Sequence, residues 1–178
     1  LPIGRLLCAS NSNNVLTDFI ATGKYDRNRP FYNTVSPSMD ILISSNLERL
    51  LYLLSGGDDK LVAGYMKELS DTGCYQVSEE MRKKIQSVFV GGFSSEAETE
   101  ATIGKMMDEH KYLIDTHTAV AFHVLEQYRK ETGDQTKTVV ASTASPFKFC
   151  ASVLDALGVT EHQPGTKVLG QLTAVTGR

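Results

Sequence analysis

A short apolar run that spills into a hydroxyl-rich loop and then a proline-opened helix constrains this chain more than any other feature. Residues 138–149 read Thr-Val-Val-Ala-Ser-Thr-Ala-Ser-Pro-Phe-Lys-Phe. Val139, Val140 and Ala141 read as a buried strand, and Ser145 and Pro146 are N-cap and first-turn signals. Phe149, Cys150, Val153, Leu154 and Leu157 then recur at helical spacing, and Gly158 stands where that helix stops. The same order occurs near the start. Residues 4–9 read as an apolar strand, Ser-Asn-Ser-Asn-Asn (10–14) as a polar loop, and residues 15–20 as a helix ended near Gly23. Two such units predict an α/β fold with a partial parallel sheet and flanking helices. If the strands run parallel in one sheet, both loops emerge at one edge, where such folds bind ligands. The alternative for residues 10–14 is a plain turn with a helix cap.

Between these units the pattern turns helical. Residues 25–38 hold Pro30 and Pro37 and read as a long ordered loop. Ser45 and Glu48 have capping-box spacing ahead of Leu47, Leu50, Leu51 and Leu54. Asp58 or Asp59 caps a second helix ending at Gly73, and Ser78 opens a third. Residues 88–93 read as a short extended segment. Ser95 and Glu98 form another capping-box match, and Thr116 opens a helix stopped by Gly133. Residues 1–45 and 112–178 are thus expected to form the α/β portion, with 46–111 as a helical insertion. The tail after Gly158 shows little periodicity.

The chain has 178 residues and a formal net charge of −3, which gives no reason to expect nucleic acid or an anionic membrane as partner. No apolar run approaches a membrane span. Three widely separated cysteines, Cys8, Cys74 and Cys150, have neither zinc nor disulfide spacing, which fits a reducing, cytoplasmic setting. The opening Leu-Pro-Ile-Gly lacks methionine, which reads either as processing or as a piece cut from a longer protein. No metal site is expected: the four histidines do not pair at ligand spacing, and His117 and His123, six apart, fall on different sides of a helix. No serine sits in a nucleophile elbow. The glycine pairs at 56–57 and 91–92 lack nucleotide-loop spacing. Lys24, Arg27 and Arg29 meet either a phosphate or solvent.

Several segments resemble the threonine synthases. Ser-Thr-Ala-Ser-Pro-Phe-Lys-Phe (142–149) is similar to the family's Ser-Thr-Ala-His-Pro-Ala-Lys-Phe element. Leu-Pro-Ile-Gly-Arg-Leu-Leu-Cys-Ala-Ser-Asn-Ser-Asn-Asn (1–14) resembles its strand and Asn-x-Asn loop. Ser-Pro-Ser-Met-Asp-Ile-Leu (36–42) with Ser-Asn-Leu-Glu-Arg (45–49) resembles its Ser-x-x-Met-Asp stretch and the segment after it. Asp-Thr-His-Thr-Ala-Val-Ala (115–121) resembles its Pro-His-x-Ala-Val-Ala helix start.

The resemblance implies a pyridoxal-phosphate lyase of the tryptophan-synthase-β type (fold type II), converting O-phosphohomoserine and water to threonine and phosphate. It places Thr143 opposite the cofactor's ring nitrogen, with Ser142 beside it. A hydroxyl is too weak an acid to keep a pyridine protonated, but it donates a hydrogen bond to the neutral nitrogen. Asn11, Asn13 and Lys148 are the implied substrate-binding residues, although Lys148 equally suits a structural salt bridge. Ser145 and Phe147 depart from the family's histidine and alanine. The Schiff-base lysine context and the Ser-Gly-Asn-Phe-Gly phosphate loop do not occur here, so no catalytic residue is expected in this chain. It reads as a C-terminal fragment, inactive alone, without covalently bound cofactor, and prone to self-association through exposed surface. The alternative is a stand-alone, non-catalytic α/β binding or interaction module.

Overall fold

The computed structural model describes residues 3–178; Leu1 and Pro2, which begin the first family-like segment, lie outside the described residues. The chain divides into two units, residues 1–32 with 40–93, and residues 33–39 with 94–178.

In the first unit, β1 (Leu6–Ser10) lies parallel to β4 (Phe89–Phe93), in a register from Leu6 opposite Phe89 to Ser10 opposite Phe93. Helix α1 (Val15–Thr22) buries Val15, Phe19 and Ile20 at helical spacing. It stops at Gly23, whose φ of 75° suits glycine and whose N–H donates to the Phe19 carbonyl at 2.7 Å. α1 also explains a glycine in β4. A Cβ on Gly91 would stand 2.9 Å from the Thr17 Cα, so only a bare backbone allows this approach.

A second ribbon pairs β2 (Lys24–Asp26) antiparallel with β3 (Cys74–Gln76). Its centre is aromatic. Tyr25 and Tyr75 face each other across the strands, stacked at 5.3 Å, with Phe19 edge-on to both and Tyr65 stacked on Tyr75. Burial pushes the Tyr75 phenol well above its ordinary pKa. Helices α2 (Asn46–Leu54), α3 (Asp59–Thr72) and α4 (Glu79–Val88) add Leu47, Leu51, Val62, Leu69, Met81 and Ile85 to the same core. Asp58 and Ser78 cap α3 and α4 as their positions predict. Ser45 does not cap α2: its backbone is already helical, so its hydroxyl cannot reach the free N–H groups. Residues 46–111 therefore hold two strands as well as helices, each paired with a strand from the first 45 residues.

The second unit contains helices α5 (Glu96–His110), α6 (Thr116–Thr132), α7 (Cys150–Ala156) and α8 (Lys167–Thr176). The capping box at the start of α5 is complete. The Ser95 backbone N–H and hydroxyl donate to Glu98 at 2.8 and 2.6 Å, and the Glu98 N–H returns to the Ser95 hydroxyl. Ile103, Ile114, Ala119, Cys150, Val153, Leu154 and Leu172 make the core.

Two expectations are corrected in this unit. The tail is not featureless, since α8 buries Leu172 completely. Residues 139–141 form no strand, and Val139 is 96% exposed. The apolar run supplies strand propensity, but the described residues of this unit hold no strand to complete its hydrogen-bond ladder. The turn after it is as the sequence reads. Ser145 caps a 3-10 turn, Pro37–Met39 being the other such turn in this unit, and Pro146 occupies its first position.

Candidate functional site

In the first unit, the loop between β1 and α1 folds around two buried asparagines. Asn13 is 3% exposed and its carboxamide is used on both sides: its oxygen accepts from the Tyr32 N–H at 2.9 Å, and its nitrogen donates to the Tyr32 carbonyl at 2.8 Å. The same nitrogen lies 3.0 Å from Asp40 Oδ1. Asn11 donates to that carboxylate oxygen at 2.7 Å, and its own oxygen accepts from the Asn13 backbone N–H at 3.0 Å. One acidic oxygen thus gathers both amides, and Asn13 mimics a strand partner for Tyr32. Arg29 closes the far side, donating to Asn14 Oδ1 at 3.1 Å and to Asp18 at 2.7 Å at the start of α1. The other two basic residues are also engaged internally, Lys24 with Asp26 at 2.8 Å and Arg27 with the Ser70 carbonyl at 3.2 Å.

In the second unit, the start of α6 is built on Asp115, whose side chain is fully buried. The carboxylate caps the helix by accepting from the His117 and Thr118 N–H groups at 2.9 and 3.3 Å. It also accepts a short hydrogen bond from the Thr118 hydroxyl and lies 3.2 Å from His117 Nδ1. The opposite ring nitrogen, Nε2, receives the Ser38 backbone N–H at 3.2 Å. Nε2 is then an acceptor, which assigns the proton to Nδ1 facing Asp115 and makes the imidazole neutral. Phe149 packs on the ring at 4.8 Å.

The Thr118 hydroxyl also lies 3.0 Å from Ser142 Oγ. Ser142 and Thr143 stand in an exposed loop, and the Thr143 hydroxyl has no hydrogen-bond partner among the described residues. Lys148 ends the 3-10 turn, exposed and without an ion pair among the described residues. Thus Asn11 and Asn13 are brought together in one unit, and Ser142, Thr143 and Lys148 lie along one turn of the other. Asp40 and Asp115 were not among the sequence candidates. Both stand in family-like stretches, Asp115 at the head of residues 115–121 and Asp40 as the aspartate of the Ser-x-x-Met-Asp stretch, but nothing in their spacing marks either as a hydrogen-bond hub.

Among the described residues no cluster of three metal-ligating side chains occurs, and no helix is long and apolar enough to cross a membrane. The three cysteines are free; burial raises the Cys8 and Cys150 thiols, against reactivity. A cavity of about 240 Å³ in the first unit is lined mainly by Leu16, Phe19, Ile20, Leu47 and Phe89, with no carboxylate, histidine, lysine or arginine in its lining.

Residues 118–175 match the family described as threonine synthase, C-terminal. Among curated relatives, the human protein named threonine synthase-like 1 is 40% identical over 162 residues, covering 90% of this chain and 21% of its own length. Threonine synthase of Saccharomyces cerevisiae is 36% identical over 171 residues, covering 88% and 33%. Among solved structures, PLP-bound threonine synthase from Brucella melitensis aligns with 100% of this chain and 36% of its own at 37% identity and a TM-score of 0.82. The yeast enzyme aligns with 98% and 38% at 34% identity and a TM-score of 0.84. The chain therefore spans about a fifth to two-fifths of the proteins it resembles.

Proposed function

The chain belongs to the threonine synthase family, in its carboxyl-terminal portion, and from this premise we propose that it supplies the ring-nitrogen side of a pyridoxal-phosphate site. The intact enzyme converts O-phosphohomoserine and water to threonine and phosphate. The observation that carries this reading is the similarity of the whole chain to the PLP-bound Brucella melitensis protein. The residues present suit the group on that side. The Thr143 hydroxyl is exposed and unengaged among the described residues, as a donor to a neutral pyridine nitrogen must be.

Pyridoxal phosphate supplies the electron sink when bound. The chain's own residues orient it and the substrate. Thr143 would donate to the ring nitrogen, and Ser142 would flank it. A hydroxyl there would donate a hydrogen bond without protonating the nitrogen. Asn11 and Asn13 shape the substrate loop, Asn13 by fixing Tyr32 and Asn11 by presenting the loop's turn. Lys148, exposed and without an ion pair among the described residues, would offer a cation to the substrate phosphate. The three free cysteines fit a reducing, cytoplasmic setting.

None of the lysines stands in the family's Schiff-base context, so the chain alone is inactive and holds no covalent cofactor. Incubation with pyridoxal phosphate, borohydride reduction and peptide mass spectrometry test this. The expected result is scattered, substoichiometric labelling of surface lysines. Stoichiometric labelling of a single lysine overturns the reading, because the attacking amine must be positioned at the cofactor aldehyde.

A further inference from the structure

We infer that Asp115 is a positioning residue that holds two loops of the second unit in place, and that through Thr118 it sets the orientation of the Ser142–Thr143 turn toward the cofactor nitrogen. The cofactor part of this inference rests on the function proposed above. The geometry is a branched chain of hydrogen bonds from one buried carboxylate. One branch runs through the Thr118 hydroxyl to Ser142 Oγ at 3.0 Å. The other runs through the neutral His117 ring to the Ser38 N–H at 3.2 Å. Both branches leave the first turn of α6, a long helix whose Val120, Val124 and Leu125 are buried, so the branch point is rigid.

The loop at the end of the first branch has little else to fix it. Residues 139–144 are neither helix nor strand, and Val139 is 96% exposed. Among the described residues, the Thr118 contact is the one hydrogen bond joining residues 139–144 to the rest of the chain. Arg129 reaches only to Thr136 and Thr138, at 3.4 Å. A hydroxyl that meets a ring nitrogen must stand within a few tenths of an ångström of its place, and the neighbouring residue's tether supplies that constraint. Asp115 suits this task better than a plain cap such as serine. Its carboxylate accepts from two backbone N–H groups and from both relay side chains, so neither Thr118 nor His117 is left to rotate.

The test uses Thr118→Val, which is near-isosteric and lacks the hydroxyl, Thr118→Ser, which restores it, and Asp115→Asn. In the 178-residue chain, amide ¹⁵N relaxation reports order at Ser142, Thr143 and Ala144, and hydrogen exchange reports protection of the Ser38 amide. The Val120 and Val124 amides monitor the helix itself. Thr118→Val is expected to lower order at 142–144 and leave Ser38 protection unchanged, with Thr118→Ser close to the parent. Asp115→Asn is expected to loosen both loops. Unchanged order at 142–144 in Thr118→Val, or equal loss in Thr118→Ser, overturns the inference. In the intact enzyme, Thr118→Val is expected to shift cofactor absorbance in the same direction as Thr143→Val. A shift from Thr143→Val with none from Thr118→Val overturns the positioning role alone. No shift from Thr143→Val overturns the function proposed above and, with it, the cofactor part of this inference.

Discussion

At the scale of single residues, the candidate residues of the two units differ in what their side chains are free to do. The Asn13 carboxamide is buried and fully used, whereas the Thr143 hydroxyl is exposed and unengaged among the described residues. Asn13→Ala removes the partners of the Tyr32 N–H and carbonyl, and unmaking buried hydrogen bonds costs about 1–3 kcal/mol. A fall of about 2 kcal/mol in unfolding free energy, read from urea midpoints, is expected at that position. Thr143→Val should leave stability within about 0.5 kcal/mol of the parent, as for exposed positions generally. These differences were not legible in the sequence. Asparagines after a strand suit a ligand and a turn equally well, and the Asp40 carboxylate that gathers these two lies 27 residues from Asn13. Thr143 came from a family-like motif, and its exposure is compatible with that origin.

At the scale of elements, local signals were readable wherever the deciding partner lies within one helical turn. The Ser95–Glu98 box, the Asp58 and Ser78 caps and the glycine stops at 23, 73 and 133 all formed. Ser95→Ala should cost about 1 kcal/mol. The Glu98 carboxyl is held below its ordinary range, first by the Ser95 hydroxyl and then by the Ser95 backbone N–H. A depressed carboxylate contributes stability that is present above the unfolded value, about 4.3 for Glu, and is lost as pH falls through the folded value. Glu98→Gln should therefore flatten the acid limb of a stability–pH curve below about pH 5. Midpoints that fall as steeply with acid in that variant as in the parent contradict the assignment.

Elements that depend on distant partners were not readable. The strand expected at 139–141 had the right residues and no ladder to join. Helix α8 was missed because Gly170, Thr173 and Thr176 lower its helix propensity, yet Leu172 is fully buried against the α7 core. Leu172→Ala is expected to destabilise by about 2–5 kcal/mol, as large-to-small changes at buried sites do. A loss under 1 kcal/mol by urea unfolding indicates that α8 is not packed.

At the scale of the whole molecule, the family was legible because several short motifs occur in the family's order along the chain, each weak alone. The division into two units was not, since residues 33–39 belong with the second unit through contacts such as Ser38 with His117 and Val35 with Glu96. The largely exposed, strand-prone run at 138–141 predicts self-association, because unpaired backbone of this kind templates pairing with another copy. Sedimentation should show concentration-dependent association that Val139→Lys reduces; a monomer at all concentrations counts against it. The central claim is that Thr143 serves a pyridoxal-phosphate site acting on O-phosphohomoserine. Its most direct measurement is phosphate and threonine release from O-phosphohomoserine by the intact enzyme with Thr143, Thr143→Ser and Thr143→Val. Serine is expected largely to retain turnover and valine to lower it by about tenfold or more, the worth of one such hydrogen bond. Turnover undiminished in Thr143→Val, or none with O-phosphohomoserine, contradicts that claim.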